Sequence, residues 1–405
     1  MEKMMTHLIA YTSHTKFAGS VMAGLLGAML LVAPASAQSL DLDSYLNTVR
    51  DDNGLPALAA AVIKDGDTIA VAAVGTRVHG KDIPVTVNDR FHIGSNTKAI
   101  TATLAGMMVD EGKLRWDSSV GEVLGDDVKG MSASLANATV EQLLSHSSGI
   151  PGDNDTILAL YFNADVFDFN LTDLRVHLID QWKSHEITVP DGSPFQYANL
   201  GYLIAGTMIE KVAETSWEQL IRERVFTPLE MSTAGLGPQA TYGMLDAPVG
   251  HRIADDGTVT PMLWGPAADV PQVMAPAGNA HMSVVDYAKW AGWNAGKGER
   301  GPTLVSPDTL QQLHTAKVVT PVRKNPPPGT PGTGSYGFGW GFVDFDWADG
   351  TLMTHNGSNS MNLAKIAIDL DQDLAIVVMT NFPGAKADMA AGKVMQHLYE
   401  TYADH

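Results

Sequence analysis

The chain has 405 residues, 45% hydrophobic and 18% charged, a globular composition with a formal net charge of −19. A body that acidic repels phosphate backbones and anionic lipid, which argues against nucleic-acid binding, and no Lys/Arg run argues otherwise. Cysteine is absent, so disulfides, thiolate zinc sites, iron–sulfur clusters and a cysteine nucleophile are excluded.

Lys16 precedes an uncharged apolar run, Phe17 to Val32, and then Ala35-Ser36-Ala37. A basic start, a short apolar run and an Ala-x-Ala site predict a secretory signal peptide over residues 1–37, cut before Gln38. The competing expectation is an uncleaved anchor. Cleavage would leave a mature chain, 38–405, in the periplasm or secreted to the medium, with no stable membrane insertion. No later stretch is long and apolar enough to span a bilayer.

A short amphipathic helix is predicted over Ser39–Arg50. Two β-rich runs follow, Leu58–Lys64 and Thr68–Gly75, and Asp65-Gly66-Asp67 between them signals a hairpin. Asn96–Glu111 reads as a helix closed by Gly112. Residues 113 to about 230 read as mostly helical, with capping boxes at Thr139-x-x-Gln142 and Ser216-x-x-Gln219 and helical runs at Leu200–Glu214 and Trp217–Phe226. Residues 230–280 are Gly/Pro-rich without a clear period. Ser283–Ala295 is helical again, and Ser306-Pro307 opens another helix. Asn325–Gly334 is a proline-rich loop, followed by β-rich runs at Tyr336–Phe345, Asn362–Ile368 and Leu374–Asn381 and a helix from about Ala385 to Tyr402. This order predicts an α/β (α+β) fold: one antiparallel sheet from both chain ends, flanked by helices and interrupted by a mainly helical subdomain at roughly 113–280. A site is expected at the seam.

Three short motifs carry chemistry. Ser95-Asn96-Thr97-Lys98 opens a helix, and positions i and i+3 share a helix face. A lysine whose pKa burial lowers can take the serine proton, and the helix N-terminus adds positive potential where an oxyanion would form. The blander role for Ser95 is an N-cap. Tyr197-Ala198-Asn199 lies in a loop before the helix at Leu200. Tyr197 can relay protons if a cation stabilises its phenolate, and Asn199 can donate to a substrate carbonyl. Tyr45-x-Asn47 and Tyr161-x-Asn163 repeat that pattern, but inside predicted helices, where packing is the expectation. His355-Asn356-Gly357 is placed just before a predicted strand. Gly357 lets a substrate lie against the strand edge, and the Ser358 N–H can form an oxyanion hole with that of Ser95. His92-Ile93-Gly94 shares the pattern without a strand after it.

Taken together, these motifs resemble the serine β-lactamase/penicillin-binding-protein superfamily. The resemblance is to the branch with class C β-lactamases, D-Ala-D-Ala carboxypeptidases, D-aminopeptidases and β-lactamase-like esterases. Three further stretches look like that branch: Leu143-Leu144-Ser145-His146-Ser147-Ser148-Gly149-Ile150-Pro151, Pro276-Ala277-Gly278-Asn279 and Tyr336-Gly337-Phe338-Gly339-Trp340. The similarity runs from about Leu58 to Phe382. Two departures stand out. His355 occupies the place of the lysine in the Lys-Thr-Gly of β-lactamases, and Asn279 stands where relatives often carry glycine. A histidine with the ordinary pKa of about 6.5 would read a substrate carboxylate only as pH falls through that value.

The resemblance implies a serine hydrolase that forms an acyl-enzyme on Ser95, with Lys98 and Tyr197 as the acid/base pair. Asn199, His355, Gly357 and Ser358 would then form the substrate and oxyanion sites, with no metal and no organic cofactor. The expected substrate is a small-molecule ester, a D-amino-acid peptide or a β-lactam. An esterase or D-amino-acid peptidase is favoured over a class C-type β-lactamase or D-Ala-D-Ala carboxypeptidase. The loops at 153–170 and 230–280 are expected to decide. Rival classes fit less well. The chain has no Gly-x-Ser-x-Gly elbow, and its 13 histidines are scattered with no His-Glu-x-x-His. His146 is expected to hold the turn after its helix. A catalytically silent protein that binds peptidoglycan or a partner would be free to lose Ser95, Lys98 or Tyr197, all of which are intact.

Overall fold

The computed structural model describes residues 41–163, 169–326 and 330–404. The expected signal peptide and its cleavage site lie outside the described residues, as do the middle of the proline-rich loop and part of the 153–170 loop.

The first helix, α1 (Leu42–Asn53), starts where the Asp41 side chain accepts the Ser44 N–H and stops at Gly54, whose φ of 64° breaks the helix; it sits a few residues later than Ser39–Arg50. Strands β1 (Ala57–Lys64) and β2 (Asp67–Gly75) form the expected hairpin. Its turn residues Asp65 and Gly66 have φ of 53° and 88°, the left-handed pair that matches strand twist. The remaining strands of the main sheet are β3 (Val318–Val319), β4 (Ser335–Tyr336), β5 (Gly341–Asp344), β6 (Thr351–Gly357), β7 (Leu363–Asp369) and β8 (Leu374–Thr380). They lie in the order β2-β1-β8-β7-β6-β5-β4-β3, antiparallel throughout. Pairing of β1 with β8, Ala59 opposite Met379, joins the two ends of the sequence in one sheet.

The central strands β1, β7 and β8 are buried along nearly their whole length, which requires cover on both faces. Helix α5 (Val284–Ala295) packs on β1 and β8, while α1 and α6 (Gly384–Tyr402) supply the other side. Between the strand groups comes the mostly helical stretch. Its core is α2 (Thr97–Asp110), buried on every side from Thr97 to Met108, with α3 (Val140–Leu144) and α4 (Asn199–Ala213) nearby. A helix apolar all round must sit inside, and α2 does so, bringing its N-terminal end to the edge of β6.

Several expectations are corrected. Tyr336–Phe345 is not one strand: residues 337–340 form a turn, closed by the Gly337 N–H on the Trp340 carbonyl at 2.8 Å. His355-Asn356-Gly357 does precede a strand, β7, but it also ends one, β6, whose extended run begins at Thr351. The Thr139 capping box is complete, whereas Ser216 only caps: Gln219 turns its amide to Glu223 at 2.9 Å. Trp217–Phe226 is α-helical only to Ile221 and continues as a wider π turn. The aperiodic 230–280 region contains short strands at Gly235–Leu236, Gly250–Ile253 and Val259–Met262. Among the described residues no helix is long and apolar enough to cross a membrane.

Candidate active site

Ser95 lies in a single 3-10 turn, Gly94–Asn96, that feeds directly into α2. It is not the N-cap of α2; Asn96 holds that position, and no side chain caps there. Gly94 has φ of 52°, and a Cβ there would lie 2.3 Å from the Ser358 nitrogen. A Cβ on Gly357 would lie 1.9 Å from the Ile93 carbonyl oxygen. Only glycine permits this approach, and it brings the end of β6 and Ser358 against the turn that carries Ser95.

Lys98, one turn into α2, is fully buried. Its Nζ lies 2.7 Å from Asn199 Oδ1, 2.7 Å from the Ala277 carbonyl oxygen and 3.1 Å from Ser95 Oγ. Burial lowers its pKa to about 7, with the charge of Asp153 acting the other way. A neutral amine has two N–H donors and one lone pair. Asn199 and Ala277 take the two donors, so the lone pair is left facing the Ser95 hydroxyl. This is the geometry a general base needs.

Tyr197 lies beside the same nitrogen, with Lys98 Nζ 4.8 Å from its ring centroid. Burial raises the Tyr197 pKa, and a side-chain hydrogen bond with Ser95 opposes the rise. His146, in the turn after α3 with φ of 58°, positions the Tyr197 loop. Its Nδ1 accepts the Ala198 N–H at 3.2 Å, its carbonyl accepts the Gln196 N–H at 2.7 Å, and its ring lies 4.2 Å from that of Tyr197. Burial, followed by the nearby Lys98 and His355, pushes the His146 pKa well down, so it stays neutral, in keeping with the expected structural role.

His355 faces Tyr197 with ring centroids 6.4 Å apart, and its Nε2 lies 2.9 Å from the Tyr336 hydroxyl. Burial and then Lys98 push its pKa down to about 3. The expectation that His355 reads a carboxylate as pH falls through about 6.5 is therefore corrected: its pKa lies well below that value, and it acts as a neutral hydrogen-bonding group. Asn199 is committed at both ends, with Oδ1 on Lys98 and Nδ2 donating to Asp153 Oδ2 at 2.7 Å. One Nδ2 N–H is held by Asp153, which leaves the second free to donate to a substrate carbonyl.

All seven sequence-derived site residues thus cluster around Ser95, and two of them, Tyr197 and His355, line the neighbouring groove. Two participants went unread. Asp153 sits just past the family-like stretch ending at Pro151, in a loop with no other signal. The Ala277 carbonyl is a backbone group, invisible to motif reading. A groove of about 770 Å3 opens beside Tyr197 and His355 and continues past Phe345 and Trp347 to Met389 and Met395 on α6. Among the described residues no group of three or more His, Asp or Glu side chains is placed to hold a metal ion.

The antiparallel sheet with flanking helices is the β-lactamase/transpeptidase-like fold, as solved relatives show. The octameric penicillin-binding protein homologue from Pyrococcus abyssi superposes with a TM-score of 0.69 at 24% identity, covering 88% of this chain and 76% of that one. The D-amino acid amidase from Ochrobactrum anthropi SV3 gives 0.67 at 20% identity, covering 89% and 97%. A family model described as Beta-lactamase matches residues 42–399, and the chain belongs to that family, one of serine hydrolases acting through an acyl-enzyme. Among sequence relatives, penicillin-binding protein 4 of Amycolatopsis lactamdurans is 26% identical over 83% of each chain. An unguisins hydrolase of Aspergillus campestris is 28% identical over 86% of this chain, which spans 62% of that enzyme.

Proposed function

We propose that this chain is an exported serine hydrolase that opens ester or amide bonds through a Ser95 acyl-enzyme, acting on esters or D-amino-acid peptides in preference to β-lactams. The observation that carries the reading is the placement of Lys98 Nζ, 2.7 Å from two acceptors and 3.1 Å from Ser95 Oγ, which leaves a neutral amine's lone pair for the serine hydroxyl. Ser95 Oγ attacks the carbonyl carbon as its proton passes to Lys98, and the carbonyl electrons move onto oxygen. The N–H groups of Ser95 and Ser358 stabilise that oxyanion. On collapse, the Lys98/Tyr197 pair returns the proton to the departing alcohol or amine. Water, activated by the same pair, then attacks the ester, releasing the acid and regenerating Ser95.

Two features favour substrates without an obligatory carboxylate. His355 provides no fixed cation, and the exposed Asp153 carboxylate stands beside Asn199. The long groove, walled by Phe345, Trp347, Met389 and Met395, suits a sizeable, partly apolar substrate. The names of the relatives, a penicillin-binding protein and a hydrolase of unguisins, fit a serine hydrolase of this family. A panel of p-nitrophenyl esters, a D-Ala-D-Ala peptide and a chromogenic cephalosporin tests the reading. Turnover of an ester well above both carboxylate-bearing probes is expected, and dominant cleavage of the D-Ala-D-Ala peptide would make it a carboxypeptidase. Dominant cephalosporin hydrolysis would make it a β-lactamase, and binding without turnover a silent binder. Export rests on Lys16, the run Phe17–Val32 and Ala35-Ser36-Ala37. Mature protein from the host is expected to begin at Gln38, and an intact N-terminus would contradict it.

A further inference from the structure

Behind the turn that carries Ser95 lies a buried polar cluster outside the machinery described above. His92 ends the short strand Arg90–His92 and is fully buried. Its Nδ1 accepts the Gly94 N–H at 3.0 Å. Its Nε2 lies 3.1 Å from Asp269 Oδ1 and 3.3 Å from Oδ2. Because Nδ1 accepts, the ring proton sits on Nε2 and is donated to Asp269. The buried Asp269 carboxylate takes three more donors: the Val270 N–H at 2.7 Å, Asn359 Nδ2 at 3.0 Å and Asn279 Nδ2 at 3.4 Å. Asn279 also donates to the Val270 carbonyl at 3.2 Å, which gives its side chain a use at a position where glycine was expected.

The second arm runs through Asn359. Its Oδ1 accepts the N–H groups of Met361 at 3.2 Å and Asn362 at 3.1 Å, and Ser358 Oγ donates to the Asn362 carbonyl at 2.6 Å. One carboxylate therefore ties the residue before Ser95 to the residue after Ser358. Neither amide sits in a long regular element: Ser95 is in a single 3-10 turn, and Ser358 lies one residue past the end of β6. An interior carboxylate is costly unless its lone pairs are filled, and an apolar side chain would fill the same space more cheaply. Four donors fill it, and two of them, His92 and Asn359, come from the segments flanking the two amides, which points to a positional requirement.

We propose that Asp269, acting through His92 and Asn359, sets the spacing of the Ser95 and Ser358 amides, making all three positioning residues for attack at Ser95. The proposal rests on the reading of those two amides as the oxyanion hole. It predicts that cutting either arm misplaces the same pair, so the two cuts are not additive.

The probe is an alkyl fluorophosphonate, whose tetrahedral phosphorus reports on the oxyanion site whichever substrate class is native. The maximal inactivation rate kinact and the half-saturation constant KI are measured for the mature chain, for His92→Gln, for Asn359→Ala and for the double variant. The labelling end point counts competent sites, so misfolded protein drops out. Each single variant is expected to lose about 10- to 100-fold in kinact with KI within about threefold, and the double variant to fall within about threefold of the worse single. If His92→Gln gives no labelled protein, His92→Asn, which keeps an acceptor for the Gly94 N–H but cuts the link to Asp269, is expected to show the same loss. Wild-type kinact in either single variant, multiplying losses, or KI rising in step with the loss of kinact would overturn the proposal. Labelling that persists in Ser95→Ala would instead remove the site reading on which it stands, and the proposal with it.

Discussion

Lys98 is held in a place that suits its chemistry and disfavours its charge. Burial brings its pKa to about 7 from the ordinary 10.5, so acylation is expected to rise as pH rises through about 7. Replacing His355 with Gln is expected to leave that limb where it is, because His355 loses its proton near pH 3. A limb that moved with His355 would contradict the assignment; stopped-flow acylation between about pH 5 and 9 decides. The same shift fixes a stability sign. Between about 7 and 10.5 the unfolded chain binds more protons at this lysine than the folded one, so the folded state gains as pH rises across that window. Below it, both states carry the proton and the burial cost is complete. Lys98→Met is therefore expected to gain stability relative to wild type, more at about pH 6 than at about pH 9, as read by thermal unfolding. Ser95, Lys98, Tyr197 and His355 were legible as residue types at known spacing. That burial pushes the His355 pKa down to about 3, below its ordinary value, was not, because that burial depends on Tyr336 and the Tyr197 loop, which are remote in sequence.

At the scale of elements, the meeting of β6 with the turn before α2 is made by two glycines. A Cβ at Gly357 would stand 1.9 Å from the Ile93 oxygen, so Gly357→Ala must push the strand end and Ser358 outward. A misplacement of that size is expected to cost on the order of 100-fold in kcat, with secondary structure by circular dichroism unchanged. Wild-type kcat in Gly357→Ala would show that the close approach has no catalytic use. Elements with local signals were read to within a few residues: the Asp65-Gly66 hairpin, α2, α4 and α6. Elements whose ends are set by tertiary contact were misread. The turn at 337–340 interrupts a run of strand-forming residues, with Phe338 stacked on Trp116 at 4.7 Å between centroids. Gln219 had an alternative partner in Glu223 that no capping rule foresees.

For the whole molecule, the order of strand-rich ends around a helical middle was enough to read one antiparallel sheet, because β1 and β8 both carry unbroken apolar runs. The path of β3, β4 and β5 was not legible, since two- to four-residue strands carry little periodicity. The net charge of −19 acts at this scale too. Cationic esters are expected to lose kcat/KM as ionic strength rises and anionic ones to gain, with kcat little changed. Identical salt dependence for both would show that the acidic surface does not reach the cleft.

Ser95 as the single nucleophile is tested most directly by intact-mass analysis after reaction with a fluorophosphonate, followed by peptide mapping. One adduct per chain, located on Ser95 and lost in Ser95→Ala while thermal unfolding is preserved, is the predicted result. An adduct on another serine, or one that survives Ser95→Ala, would contradict it.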